Sequence, residues 1–176
     1  MVSEALSLLE SRGAASLPHP GGTLLVHLSR VHTTLVAWGA RDDLCLAGLC
    51  HAFYGTDGFA AALGEHTDRD VLASVIGPAA EEIVYLYGAC ARAETYPSLT
   101  TRPVLADRFT GVRVPLSDAV TRDFAELTVA NELDVMAHSA AVREEHGAAL
   151  LALFRSWNDL LSPSAREAAA AFPTGP

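Results

Sequence analysis

Four side chains able to move a proton or hold an ion, His27, His51, Asn131 and Asp134, sit in stretches that are otherwise largely apolar. His51 closes an apolar run within Leu44 to Phe59, LCLAGLCHAFYGTDGF, and is followed by Tyr54, Thr56 and Asp57 around Gly55 and Gly58. Such a run predicts a helix buried on most of its surface, so the titratable groups at its end stand beside a dry core. An imidazole there has its cationic form disfavoured and acts as a base near neutral pH, while a neighbouring carboxylate pulls the other way. His51 and His27 are the expected catalytic bases, with Asp57 or Asp134 as orienting carboxylate and Tyr54 as hydrogen-bond donor. This set suits elimination, cyclisation or isomerisation of a small molecule. Asn131, Asp134 and Thr56 are expected to contact the substrate, with Arg92, Arg102 and Arg108 available for its anionic groups.

Helices must carry these residues. Thr23 is an N-cap for a helix to Trp38 whose buried stripe is Leu24, Leu28, Val31, Leu35 and Trp38. His27 lies on that stripe. His32 is rotated from it by about 140°, too far to share an ion, and is expected to be solvated. Asp42 or Asp43 caps the next helix, Leu44 to about Phe53, and Thr67 caps another over Asp68 to Ile76. Gly77 and Pro78 break the chain before a helix from Ala79 to about Ala93, with Ile83, Leu86, Tyr87 and Cys90 inward. Ser117 caps the longest helix, Asp118 to about His138. Its stripe runs Val120, Phe124, Leu127, Asn131, Asp134 and His138, turning polar halfway. Either that helix leaves the core there, or its second half faces a polar pocket.

The rest is shorter. A helix from Ser3 or Glu4 to Glu10 precedes a loop, Gly13 to Gly22, in which His19 reads as a loop residue. The segment 94–116 is irregular, holds Arg102, Arg108 and Arg113, and suits a lid, with FTGVRV as a short strand or hairpin. Helices over His146 to Leu161 and Ser164 to Phe172 end the chain before a frayed PTGP. The expectation is one all-α domain over residues 1–176, a bundle of six to seven helices.

Composition narrows the function classes. The net charge of −9 argues against nucleic acid as a partner. No apolar run reaches the roughly 18 residues of a membrane span, and MVSEALSLLESRG has no signal-peptide core. All twelve basic residues are Arg. Cys45, Cys50 and Cys90 lie in apolar segments without CxxC spacing and read as reduced core thiols of a cytoplasmic protein. Half the residues are hydrophobic and 19% charged, an apolar excess that suggests a homodimer through faces of the terminal helices.

Taken in order, a helix with His27, the AGLCH run ending in His51, the Ile76-Gly77 turn before an apolar helix, and a later helix carrying LTVANEL resemble the HD-domain superfamily, particularly its alarmone-hydrolase branch. The likeness spans about Gly22 to Ala137. A closer likeness is to an uncharacterised bacterial family with the signature His27-Leu28, Trp38-Gly39, AGL-H at His51, and Tyr54-Gly55-Thr56 to Phe59. The superfamily resemblance implies a metal-dependent phosphohydrolase, but its metal-binding aspartates are Ala52 and Asn131 here, and its acidic pair is Tyr54 and Gly55. Two imidazoles and an amide leave a divalent ion without charge compensation, so no cofactor is expected. The alternative is a rebuilt site in which His27, His51 and Asp134 hold one Fe, Mn or Zn ion. Three readings stay open: a small-molecule enzyme using acid–base chemistry, a phosphohydrolase whose Arg92, Arg102 and Arg108 hold phosphates, and a non-catalytic ligand-binding or dimerisation module.

Overall fold

A computed structural model describes residues 1–173, and the expected fraying of PTGP falls, but for Pro173, outside that range. The chain is mainly helical, with nine α-helices and two small hairpins among the described residues, more helices than the six to seven expected because the 79–93 stretch breaks at Cys90 and leaves a short helix beyond it. In order, α1 (Val2–Ser11) leads to a hairpin of β1 (Pro18–His19) against β2 (Gly22–Thr23). Then come α2 (Leu24–Ala37), α3 (Asp42–Cys50), α4 (Arg69–Ile76) and α5 (Pro78–Ala89). A short α6 (Arg92–Thr95) continues as a 3₁₀ turn, Tyr96–Ser98. A second hairpin, β3 (Val104–Ala106) with β4 (Arg113–Pro115), precedes α7 (Asp118–His138), α8 (Ala140–Ser156) and α9 (Pro163–Ala171). No helix among the described residues is long and apolar enough to cross a membrane.

Helix α3 is the centre. Every residue from Leu44 to Cys50 is buried, as an all-apolar helix requires, and α1, α2, α4, α5 and α7 all pack on it. Gly48 lets α2 close on α3, because a Cβ there would run into the Leu35 side chain. Capping follows the sequence at two of four sites: the Thr23 hydroxyl accepts from Val26 N–H and the Ser117 hydroxyl from Val120 N–H, whereas Arg41 and Asp68, not Asp42 or Asp43 and Thr67, stand at the starts of α3 and α4, with no side-chain cap bond.

Three elements differ from the sequence reading. The helix expected to run to Ala93 stops at Ala89, where Cys90 turns extended and bridges Asp107. Backbone bonds from Ala91 N–H to Ala106 and from Arg108 N–H to Ala89 sew the 94–116 segment to that break. Leu99, Leu105 and Asp107 in this segment are buried. Helix α8 starts at Ala140, six residues before His146, because the Ser139 hydroxyl caps it through Val142 N–H. Exposed large apolar side chains are Met1, Val2, Val26, Val36 and Val112, none of them on α9.

Gly88 marks the tightest crossing of α5 with the segment after α3. A Cβ there would stand 2.9 Å from the Gly55 carbonyl oxygen and 3.3 Å from Tyr54 Cβ. Backbone cannot yield as a side chain end can, so Gly88→Ala should cost about 1–3 kcal/mol in urea unfolding. An unchanged midpoint would mean that this crossing is loose.

Candidate functional site

The apolar stripe of α2 brings His27 inward, and the end of α3 brings His51 beside it, with Nε2 atoms 3.3 Å apart. From α7, Asn131 Oδ1 comes within 3.0 Å of His27 Nε2. All three residues are buried. Helix α7 therefore stays in the core where its stripe turns polar: Asn131 and Glu132 are each 5% exposed, and the Asp134 side chain 7%.

Each of the three groups is oriented from behind. Asp134 Oδ2 accepts from His27 Nδ1 at 2.6 Å. The Gly48 carbonyl accepts from His51 Nδ1 at 2.8 Å. Neither acceptor can donate, so both imidazoles carry a proton on Nδ1 and turn Nε2 toward each other. Asn131 Nδ2 donates to Glu132 Oε1 at 2.9 Å, which fixes the amide with its oxygen toward His27. Three lone-pair positions thus converge, and the contact is favourable only if one cation, a proton or a metal ion, lies among them.

Two arginines balance the carboxylates. Arg30 forks onto Asp134, Nε to Oδ1 at 2.7 Å and Nη2 to Oδ2 at 2.9 Å. The same guanidinium donates to the carbonyls of Pro20 at 3.0 Å and Gly21 at 3.3 Å, tying the first hairpin to α7. Arg92 Nη1 donates to Glu132 Oε1 at 2.7 Å. On the hairpin, His19 stacks on His27 with ring centroids 4.0 Å apart, and its Nδ1 is buried without a partner among the described residues. His19, His27, His51, Arg92, Asn131 and Glu132 line a cavity of about 330 Å³, closed further by Thr56, Phe59, Val142 and His146.

Electrostatics separates the titratable groups. Burial, then the neighbouring His27, pushes His51 down to about 3, against the Gly48 carbonyl. Burial and His27 also push His19 down to about 4. Burial opposes the Asp134 charge, but hydrogen bonds from His27 and Arg30 outweigh it and hold the carboxyl at about 2.

Of the residues singled out in the sequence, the structure brings His27, His51, Asn131, Thr56 and Arg92 to this cavity, with Asp134 directly behind His27. It does not bring Tyr54, Asp57, Arg102 or Arg108. Tyr54 donates to Glu81 at 2.8 Å in a separate buried cluster that Arg69 completes. Asp57 faces the surface and accepts from the Arg92 backbone N–H at 2.9 Å. Arg102 is exposed. Arg108 spends its Nε on the Gly88 carbonyl at 2.7 Å and lies over Phe109. None of residues 94–116 lines the cavity, so the segment considered as a lid sits elsewhere. Asp134 cannot join His27 and His51 on a shared ion, because it holds the opposite nitrogen of His27.

Sequence reasoning missed His19, Arg30 and Glu132. Pro20-Gly21 between His19 and Gly22 carried a turn signal that would have folded His19 back over α2. Arg30 lies three residues after His27, on the same helical face.

Residues 8–92, just under half of the chain, match the family model described as a domain of unknown function (DUF6817). The matched region contains His27, His51 and Arg92 but not α7 with Asn131 and Asp134. No curated protein and no solved structure matches the chain.

The shifts have a sign. His51 has a folded value of about 3, below the roughly 6.5 of an unfolded histidine, so the unfolded chain takes up a proton first as pH falls. Stability should fall from about pH 6.5 toward 3, with His19 adding in the same direction, and Asp134 contributing further loss only below about pH 4. Thermal melts of wild type beside His51→Gln should show the variant's slope smaller by about one proton over pH 4 to 6.5. Equal slopes would mean that His51 is not buried as a neutral base.

Proposed function

We propose that this cavity is the active site of a small-molecule enzyme that works by proton transfer, on a substrate undergoing cyclisation, elimination or isomerisation. The observation that carries the reading is the convergence of His27 Nε2, His51 Nε2 and Asn131 Oδ1 with a single cation's worth of space among them. A proton on His27 Nε2 satisfies both neighbours at once, while burial keeps His51 neutral. The result is an acid and a base side by side on the wall of a cavity, with burial holding His51 as the base. Asp134, fixed by Arg30, holds the His27 ring and stabilises its charge, as an orienting carboxylate does in a hydrolase triad.

The meeting of His27, His51 and Asn131, contributed by α2, α3 and α7, supports the HD-like resemblance and favours one second reading, a bound divalent ion. Metal-bound imidazoles are held by a second-shell acceptor on their other nitrogen, as Asp134 and the Gly48 carbonyl hold these. Among the described residues no three His, Cys, Asp or Glu side chains converge as ligands, and the third donor is an amide. The fit is thus one of orientation, with the charge of Glu132 and Asp134 supplied from behind. His27, His51 and Asn131 would hold the ion, which would supply Lewis-acid activation of a bound oxygen. Ala52 lines the cavity where the superfamily places a ligating aspartate.

Two measurements separate these readings. Elemental analysis of protein purified without a chelating tag should find substoichiometric metal in wild type and in His51→Ala alike. Near one equivalent that disappears in the variant would move the assignment to the metal. In chelator-treated wild type at pH 7, long-range proton–nitrogen NMR of the histidine rings should show His51 neutral with Nδ1 protonated and a proton on His27 Nε2. A bare His27 Nε2 would sink the acid–base reading.

A further inference from the structure

Arg92 has capacity that the fold does not use. It stands at the cavity wall, beside the loop of Gly58, and Nη1 is the only one of its guanidinium nitrogens with an acceptor among the described residues, Glu132 at 2.7 Å. A guanidinium has five N–H donors in one plane. Nε–H and both hydrogens of Nη2, which form one flat fork, are therefore unclaimed.

Its surroundings keep that fork in place and open. The guanidinium carbon lies 6.0 Å from the Tyr87 ring and 5.9 Å from the Tyr96 ring. Both phenols are buried, and neither hydroxyl has a partner among the described residues. Directly beside it Gly58 has no side chain, and a Cβ there would stand 3.2 Å from Nη1, 3.5 Å from the guanidinium carbon and 3.8 Å from Nη2. A charged fork near two aromatic rings, with unspent donors on a residue of the cavity wall, fits a planar anionic group better than it fits structural bracing.

The charges select which anion. Arg30 and Arg92 are offset by Asp134 and Glu132, two against two. With those four charges balanced, a monoanion adds one uncompensated charge and a dianion two. We infer that the cavity takes a small-molecule carboxylate, held by the free fork of Arg92, and that the His27 and His51 pair acts on the carbon skeleton attached to it. This inference rests on the acid–base reading, and adds the substrate class and the residue that selects it.

The test is a titration of chelator-treated protein with acetate and with benzoate, beside inorganic phosphate, read by NMR of the Arg92 Nε–H and the histidine rings. Wild type should give saturable shifts with both carboxylates and weaker binding of phosphate. Loss of a charge-assisted pair should weaken the carboxylates on the order of 10- to 100-fold in Arg92→Gln. Arg92→Lys, which keeps the charge without the fork, should recover only part of that. Arg92→Gln combined with Glu132→Gln avoids stranding a buried carboxylate and should bind as poorly as the single variant if that one folds badly. Carboxylate affinity unchanged in the variants, phosphate binding tighter than either carboxylate, or no saturation by acetate or benzoate would each overturn the inference. The proton on His27 is read before any anion is added, so its absence is seen separately from failure of the Arg92 subsite.

Discussion

A carboxylate sunk to 7% exposure survives as an anion only if protein donors replace the water it has lost, and Asp134 meets that condition through Arg30 and His27 together. Both partners come from α2, one turn apart, so one helix face supplies these hydrogen bonds, while His138 Nδ1 of α7 stands 3.5 Å from Oδ1. Much of the site follows from this contact. It fixes the His27 tautomer, pins α2 to the middle of α7, and draws in the hairpin through the remaining donors of Arg30. Glu132 repeats the arrangement with Arg92 on the other side of Asn131. The amide between the two carboxylates is thereby held in one orientation.

The second constraint is steric. His51 reaches His27 because α3 and α2 lie close, and they lie close because Gly48 presents no side chain to Leu35. The same glycine supplies the carbonyl that sets the His51 tautomer. One small residue on the central helix thus governs both the distance between the imidazoles and the direction in which their lone pairs point.

What was legible in the sequence was the part written as periodicity. The stripe of α2, the apolar α3 and the caps at Thr23 and Ser117 fall where spacing and hydroxyls placed them. The polar half of α7 read correctly as anomalous, and only its partners could decide between exposure and a pocket. Long-range pairing was not legible. Nothing local says that Tyr54 turns to Glu81, that Asp57 holds the Arg92 backbone, or that Arg108 caps Gly88, because each partner lies 20 or more positions away. The break at Cys90 is of the same kind: its cause is a bridge to Asp107, invisible in the helical pattern that runs through it. His19 was passed over because a two-residue strand leaves almost no alternation to read.

Arg30 donates at once to Asp134 and to the carbonyls of Pro20 and Gly21. The seating of the hairpin and the footing of the buried dyad are therefore linked. Whatever lifts the hairpin takes two acceptors from Arg30 and the stacked ring from His27 together. By reciprocity, whatever changes how Arg30 or His27 is held alters how firmly the hairpin sits. The wall of the cavity and the footing of its imidazole are thus tied through one guanidinium and one ring stack, both meeting a six-residue turn.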